Sequence, residues 1–454
     1  MDNGQEKMNK IISLAKRRGF IYPGSEIYGG LQNAWDFGPL GTELKMNIKA
    51  EWWNRFVRRR EDMVGVDTAL IMNNKVWEAS GHLANFNDPL SECEDCHERF
   101  RTDQLENDKC PNCGGKLMES RQFNMMLKTY LGATEDKESQ VYFRPETAQG
   151  MFVNFGNVVD SLRTKLPFGI AQIGKAFRNE ITPGNYIFRT REFEQMEIEY
   201  FISVPKKDAE WQETFESWRE EMKSWIAHTG IKKSEIHELE VPKEELAHYS
   251  KRTIDFEYDF PFGRKELYGL AYRTDFDLKN HGLKYRNPET GEEFVPHVIE
   301  PTFGVERTIL AAMCSAYAEE KAPTAEEGET DTRVVLKFPD WLAPVKVAVL
   351  PLSKKEELSE VSRKLAADLR KDFAVMYDET QSIGKRYRRQ DEIGTPYCVT
   401  VDFDSLKDGK ATVRDRDTMK QERMNMSEIP GYLRKAFGQA TPPVDKTRPK
   451  WWPF

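Results

Sequence analysis

Between Phe193 and Tyr200 the side chains alternate in character, with Phe193, Gln195, Glu197 and Glu199 on one face and Met196, Ile198 and Tyr200 on the other. A period of two belongs to a β-strand, whose successive side chains leave opposite sides of the sheet. Phe193 and Glu197 therefore share one surface. Glu300, which follows Val298-Ile299 and precedes Pro301, falls in a second strand-like run with apolar neighbours. An unpaired carboxylate buried there would be costly, and a bound ammonium would compensate it.

The segment 141–202 alternates strand-like runs with turns and reads as an antiparallel sheet. Upstream, Met8 to Arg18 reads as a short helix. Leu44, Ile48, Trp52 and Phe56 recur every four residues after the turn-forming Gly38-Pro39-Leu40-Gly41, which predicts a helix with one apolar stripe. Trp211, Phe215, Trp218, Met222 and Trp225 keep helical spacing in a charged segment. That stripe reads as packing, within an inserted subdomain that ends near Tyr258. Lys321 to Asp331 is polar, acidic and aperiodic, as a loop or linker would be. Beyond it come a strand at Val345 to Leu350, a helix through Lys371, and strands at Phe373 to Val375 and Tyr397 to Val401. Strands alternating with helices indicate a separate α/β domain. A chain of 454 residues has room for two or three such domains.

Charged residues make up 31% of the chain and hydrophobic ones 39%, as in soluble globular proteins. No apolar run approaches a membrane span, and Met1 to Lys10 is polar rather than signal-like, so the expected location is the cytoplasm. The net charge of -8 disfavours indiscriminate nucleic-acid binding but allows a local footprint. Arg55 to Arg60 and Lys385-Arg386-Tyr387-Arg388-Arg389 are the basic clusters that could supply one. Each reads equally well as a solvated helix face. Lys385, Arg386 and Arg388 are the nominated RNA contacts.

Cys93-x2-Cys96 and Cys110-x2-Cys113 form two hooks separated by thirteen residues. Each hook can wrap two thiolates around one ion, and tetrahedral zinc is the natural occupant. Pro111 and Gly114-Gly115 suit the tight turn that aims the second pair inward. Two disulfides are the competing reading, with little support in a cytoplasmic chain that has only Cys314 and Cys398 besides. With all four positions taken by sulfur, the metal is expected to be structural.

Two arginine-bearing signatures carry the chemistry. One is Phe177-Arg178-Asn179-Glu180 with Phe188-Arg189-Thr190-Arg191-Glu192-Phe193; the other is Glu300-Pro301-Thr302-Phe303-Gly304-Val305-Glu306-Arg307. Guanidiniums neutralise phosphate oxygens with planar, multidentate hydrogen bonds, and an arginine plane with a phenylalanine ring can sandwich a purine. These strings resemble motifs 2 and 3 of the class II aminoacyl-tRNA synthetases. Further strings resemble the single-chain homodimeric glycyl-tRNA synthetases within that family. They are Gly29-Gly30-Leu31, Asp36-Phe37-Gly38-Pro39-Leu40-Gly41, Trp77-Glu78-Ala79-Ser80-Gly81-His82, Arg144-Pro145-Glu146-Thr147-Ala148-Gln149-Gly150 and Arg273-Thr274-Asp275-Phe276-Asp277-Leu278.

The resemblance implies an α+β fold: a class II antiparallel sheet flanked by helices in residues 1–338, a four-cysteine zinc insertion at 93–113, a helical insertion at 202–258, and an α/β anticodon-binding domain at 339–440. Residues 441–454, with Trp451-Trp452, form a tail without an assigned purpose. It implies a ligase that activates glycine with ATP and Mg2+, transfers it to tRNA(Gly), and works as a homodimer without membrane attachment. The motif 1 helix, with Pro39 in the proline position, would build the dimer interface; burial of its stripe on its own subunit is the alternative.

By the same resemblance, Arg178 and Arg307 are catalytic. ATP falls to Arg178, Asn179, Glu180, Phe188, Arg189, Thr190, Arg191, Glu192, Phe193, Glu266, Leu267, Gly304 and Arg307. Arg178 would bind the α-phosphate and Glu180 read the adenine edge. Phe193 would stack beneath adenine and Arg307 lie over it, while Arg189, Arg191 and Glu192 flank the triphosphate and Glu266 approaches its metal ions. Glycine falls to Arg101, Glu146, Phe193, Gln195, Glu197, Glu300, Thr302 and Gly304. Thr302 stands where serine is more usual in the family, and its methyl would tighten the pocket. Rival expectations are another class II synthetase with the same nucleotide motifs, or a silent synthetase-like protein. The second would lack some of Arg178, Glu180, Phe193, Glu266, Glu300 and Arg307, all of which are present.

Overall fold

The computed structural model describes residues 3–102, 105, 107–181, 184–323 and 330–438, so the tail at 441–454 lies outside it. The chain divides into two compact units, Met1–Ser315 and Ala316–Phe454.

The first unit is organised on a seven-stranded sheet: β1 (Met63–Gly65), β2 (Phe168–Phe177), β3 (Glu192–Ile202), β4 (Ile236–Glu240), β5 (Arg252–Phe260), β6 (Gly263–Thr274) and β7 (His297–Gly304). Their spatial order is β4-β5-β6-β7-β3-β2-β1. Every pairing is antiparallel except β1 with β2. The register sets Gln195 opposite Gly304, Glu197 opposite Thr302, and Ala271 opposite Glu300. Residues directly across a ladder project from the same face, so three strands deliver their polar side chains to one surface.

The other face is apolar over most of its area and carries two helices, α1 (Pro39–Trp53) and α2 (Asp208–His228). From α2, Trp211 stacks on Tyr272 with ring centroids 4.3 Å apart, and Trp218 meets Tyr200 edge-on. Burying such side chains stabilises the unit by about 1.5–3 kcal/mol each. The packing expected of that stripe is what the fold contains. Gly41 in α1 lies so close to the chain behind it that a Cβ would sit 1.9 Å from the Phe20 carbonyl oxygen, so no larger residue fits.

Four expectations change. Leu44, Ile48, Trp52 and Phe56 are fully buried within this chain, Trp52 and Phe56 against Phe303, so that stripe is core, while Met46 on another face of the same helix is exposed. The segment 141–202 is interrupted by helices at Ala148–Val153 and Phe155–Leu162, whose short apolar runs periodicity cannot tell from strands. Strand structure resumes at Ile236 rather than near Tyr258, because β4 and β5 extend the main sheet. Both ends of the expected linker 321–331 are strands: Tyr317–Pro323 pairs antiparallel with Thr330–Leu336. A two-stranded ribbon is held by backbone bonds, which side-chain periodicity does not report.

The second unit has a five-stranded sheet in the order Val375–Tyr377, Val347–Pro351, Tyr397–Val401, Lys410–Asp415, Gln421–Asn425. The first three are parallel and the last two join antiparallel. The helix Glu356–Leu369 packs Leu358, Leu365 and Leu369 onto the sheet in one core with Val347, Val349 and Val399. Lys385 is exposed, but Arg386 is buried and donates to the carbonyls of Pro351, Asp378 and Leu352, which removes it from the nominated RNA contacts.

Candidate active site

One pocket on the polar face is lined by Arg178, Glu180, Phe188, Arg189, Thr190, Phe193, Gln195, Glu266, Leu267, Thr302, Gly304 and Arg307, among others. Arg178 follows the last residue of β2, so its start is fixed by the sheet. Its Nε donates to the Pro145 carbonyl at 3.0 Å, and its guanidinium lies 5.3 Å from the Phe193 ring centroid and 5.4 Å from that of Phe86. Stacking holds the plane while the remaining N–H groups stay available for an anion.

Arg307 sits in the first turn of α3 (Val305–Ala316) and reaches back across the pocket. It lies 4.5 Å from the Phe188 ring centroid, donates to the Glu266 carbonyl at 3.0 Å, and approaches the Glu266 carboxylate at 3.1 Å. Arg307, then Arg178 and Arg189, hold the Glu266 carboxyl below its usual range. Three cations thus surround one half-exposed carboxylate, an arrangement able to receive a polyanion. One buried oxygen of Glu180 has no hydrogen-bond partner among the described residues, its nearest cation being Arg189 Nε at 4.0 Å.

Two residues grouped with the nucleotide lie elsewhere. Glu192 is half-exposed and pairs with Lys175, because strand alternation sends it to the face opposite Phe193. Arg191 donates to the Gln32 carbonyl at 3.0 Å and the Glu180 carbonyl at 3.4 Å, and together with Glu192 borders a separate cavity. Asn179 uses its backbone N–H on the Met125 carbonyl at 2.7 Å.

At the inner end the pocket meets a set of buried carboxylates. Glu197 accepts from the Thr302 hydroxyl at 3.1 Å, from Gln195 Nε2 at 3.4 Å, and from the Thr147 hydroxyl. Carboxylate oxygens of Glu197, Glu199 and Glu300 lie within 4.8 Å of one another. Arg273 donates to Glu300 at 2.7 Å and forks onto Asp277 at 2.8 and 2.9 Å, with its plane 3.9 Å from the Tyr249 ring centroid. Glu146 lies 3.4 Å from His82 Nε2 and accepts from Gln149 Nε2 at 3.0 Å.

The acids outnumber the cations, and their ionisation diverges accordingly. Burial pushes the Glu300 carboxyl up to about 8, against the pull of Arg273. Burial and then Glu300 push Glu199 well up, and both its oxygens lack partners among the described residues. Burial and Glu146 raise Glu197. Glu146 is the exception: burial opposes its charge, but His82, Arg273 and Gln149 together hold it well below the carboxylate range. The pocket is therefore suited to a small cation. Two unit charges 4 Å apart attract by about 4 kcal/mol at an effective dielectric constant near 20.

His82, Arg273, Asp277, Gln149, Glu199 and Tyr249 join the site without having been expected there from the sequence. A signal existed for two of them, since Arg273 and Asp277 are four apart and pair across one turn. Arg101, grouped with the amino-acid pocket, sits in the insertion's sheet and pairs with Asp88 at 2.7 Å.

In that insertion Cys93 and Cys113 Sγ are 3.5 Å apart, as are Cys96 and Cys110 Sγ, and all four lie within 4.8 Å of one another. Bonded sulfurs would be about 2.05 Å apart, whereas a tetrahedral ion with about 2.3 Å bonds spaces its sulfurs near 3.8 Å. The donors fit a metal, not a disulfide. Each hook closes with a residue at positive φ, His97 (φ 58) and Gly114 (φ 75). Their N–H groups donate to the Cys93 and Cys110 carbonyls at 3.1 and 2.9 Å.

Residues 130–316 match the family model of the tRNA synthetase class II core domain (G, H, P, S and T), and residues 346–436 match the anticodon binding domain. Among curated relatives, the glycine–tRNA ligase of Caldanaerobacter subterraneus subsp. tengcongensis is 52% identical over 94% of this chain and 97% of its own. That of Bacillus cereus is 51% identical over 94% and 98%, and that of Cutibacterium acnes 52% identical over 94% and 95%.

Proposed function

The chain belongs to the glycine–tRNA ligase family of class II synthetases, and from this premise we propose that it activates glycine with ATP and then esterifies tRNA(Gly). The observation that carries the reading is the continuity of the pocket. One end holds Arg178, Arg189, Glu266 and Arg307; the other is closed by Thr302 and Gln195, both bonded to Glu197.

In the first step a carboxylate oxygen of glycine attacks the α-phosphorus of ATP, the bond to the bridging oxygen breaks, and pyrophosphate leaves with the electron pair. Arg178 would bind the α-phosphate and stay bound as charge builds on its oxygens, so most of the rate comes from placement and neutralisation. Adenine would lie between Phe193 and Arg307, its exocyclic amine donating to the Glu180 oxygen that lacks a hydrogen bond. Arg189, Thr190 and Phe188 complete that end. Hard oxygen donors at Glu266 suit Mg2+, which would neutralise the outgoing phosphates.

Glycine's ammonium would be held by Glu146, Glu197 and Glu300, with the Thr302 hydroxyl fixing Glu197. An added side-chain methyl would meet a filled pocket, so larger amino acids are excluded by size and an editing site is unnecessary. In the second step the terminal ribose hydroxyl of the tRNA attacks the mixed anhydride and AMP leaves.

The four thiolates of Cys93, Cys96, Cys110 and Cys113 would hold a structural Zn2+. Homodimerisation is proposed through the segment ahead of α1, where Ile27, Tyr28 and Leu31 are 87%, 86% and 69% exposed. Apolar side chains grouped in this way are more typical of an interface than of a free surface. The proposed workplace is the cytoplasm. Among the described residues no helix is long and apolar enough to cross a membrane.

Amino-acid-dependent pyrophosphate exchange tests the activity: glycine should drive it, with proline, serine and threonine near background. Strong exchange with one of those three would identify a different synthetase. Charging of purified tRNA(Gly) tests the second step.

A further inference from the structure

Behind the nucleotide pocket, on the opposite face of the sheet, four charged side chains from three elements close on one another. Lys45 of α1 places Nζ 2.8 Å from a carboxylate oxygen of Glu306 and 3.4 Å from one of Glu194, while Lys49 Nζ lies 3.1 Å from Glu194. Their side chains are between 8% and 25% exposed. Two cations and two anions make a neutral set, so none is left as an isolated buried charge.

The second oxygen of Glu306 accepts the backbone N–H of Glu194 at 2.8 Å. This bond has a local cause. The ladder between β3 and β7 ends with Gln195 opposite Gly304, because the chain turns into α3 at Val305. The next N–H along β3 on that side would lose its partner, and the Glu306 carboxylate supplies one.

Glu194 follows Phe193, and Glu306 precedes Arg307. The chain neighbours of the two groups assigned to adenine are thus tied together by one carboxylate, and Lys45 holds that carboxylate from below. Glu306 also borders the nucleotide pocket itself. Lys45 is further confined by the Phe37 ring, whose centroid is 4.4 Å from Nζ.

We infer that Lys45 is a positioning residue for the nucleotide site: through Glu306 and Glu194 it sets the separation of Arg307 from Phe193 and links α1 to ATP binding. The inference rests on the adenylation reading above. A purely structural ion pair would stabilise the unit without distinguishing the two substrates. A positioning role would be felt by ATP more than by glycine, because Glu194 and Glu306 are the chain neighbours of Phe193 and Arg307, whereas no described hydrogen bond or ion pair joins Lys45 or Glu306 to Glu146, Glu197 or Glu300.

The test uses the full chain with Lys45→Met and Lys45→Arg, measuring glycine-dependent pyrophosphate exchange against each substrate in turn, with circular dichroism melts alongside. Lys45→Met should raise KM for ATP about tenfold and leave KM for glycine within about twofold, with Lys45→Arg restoring most of the difference. An unchanged KM for ATP, or equal rises for both substrates, would overturn the inference. Should Lys45→Met fail to fold, Glu306→Gln is read on the same split, since it keeps an acceptor for Glu194 N–H but loses the charge Lys45 needs. If wild-type protein gives no exchange with glycine, the adenylation reading fails separately. Titration calorimetry with ATP then decides on Lys45: weaker binding by Lys45→Met supports its role, and equal binding rejects it.

Discussion

Arg178 is held by stacking and by one bond to a backbone carbonyl, and it feels the Glu266 carboxylate only at longer range, with no direct ion pair among the described contacts. Arg178→Ala therefore removes an anion-binding group without opening the core. Exchange should fall by about a hundredfold or more while the melting curve is retained; wild-type-like exchange would exclude the assigned role. Glu300 makes a different prediction, through proton linkage. Its carboxyl is raised to about 8, so folding favours the protonated form, and the stability this contributes is present below the unfolded value near 4.5 and lost as pH rises through about 8. Compared with Glu300→Gln, which cannot ionise, the wild-type protein should lose melting temperature between pH 5 and about pH 8 in the absence of substrate, and glycine should restore it. A pH-independent difference between the two proteins would show that Glu300 is already ionised. At this scale the alternation around Glu197 was legible, because register follows directly from a period of two. His82, Arg273 and Glu199 were not, since buried charge compensation depends on contacts between distant segments that no local pattern encodes.

The insertion at 93–113 is the element whose geometry the spacing anticipated most directly. Two hooks of fixed length leave little freedom, and the four sulfurs meet as expected. His97 at positive φ was the part not foreseen, because the glycine that usually marks such a turn is present only in the second hook. Pure protein should contain about one zinc per chain, and Cys96→Ser or a strong chelator should expose the segment to protease while β2 and β3 keep their amide protection. Zinc-free protein with the same protection would remove the metal from the account. The helix α1 shows the reverse limit. Its four-residue stripe was legible as apolar, but an apolar stripe does not state its partner, and here the partner is Phe303 of the same chain together with α2. Sequence periodicity specifies that a face must be covered, whereas only the assembled sheet decides by what.

For the whole molecule, the proposed dimer needs exposed apolar surface, and the buried stripe of α1 is not part of it. The stripe from Leu44 to Phe56 is used internally, and the proposed contact for a second subunit is the preceding segment, where Ile27, Tyr28 and Leu31 are the most exposed large apolar side chains among the described residues. Gly29 and Gly30 both adopt positive φ, at 91° and 77°, which fixes the turn that presents these side chains. If each apolar group leaves water in a dimer, the gain is about 25 cal/mol per Å² buried, and a charge placed among them would have to be desolvated without a partner. Tyr28→Asp combined with Leu31→Asp should therefore shift sedimentation equilibrium from dimer to monomer at micromolar concentration, while the melting transition of the chain stays cooperative. A wild-type chain that sediments as a monomer would remove the proposed dimer, and a doubly substituted chain that stays dimeric would move the interface elsewhere. The Lys45 network sharpens the same experiment, because α1 is the element that joins this segment to Glu306. A monomer formed by these substitutions should bind ATP more weakly than the dimer while its affinity for glycine changes little, and unchanged ATP affinity in the monomer would separate assembly from nucleotide binding.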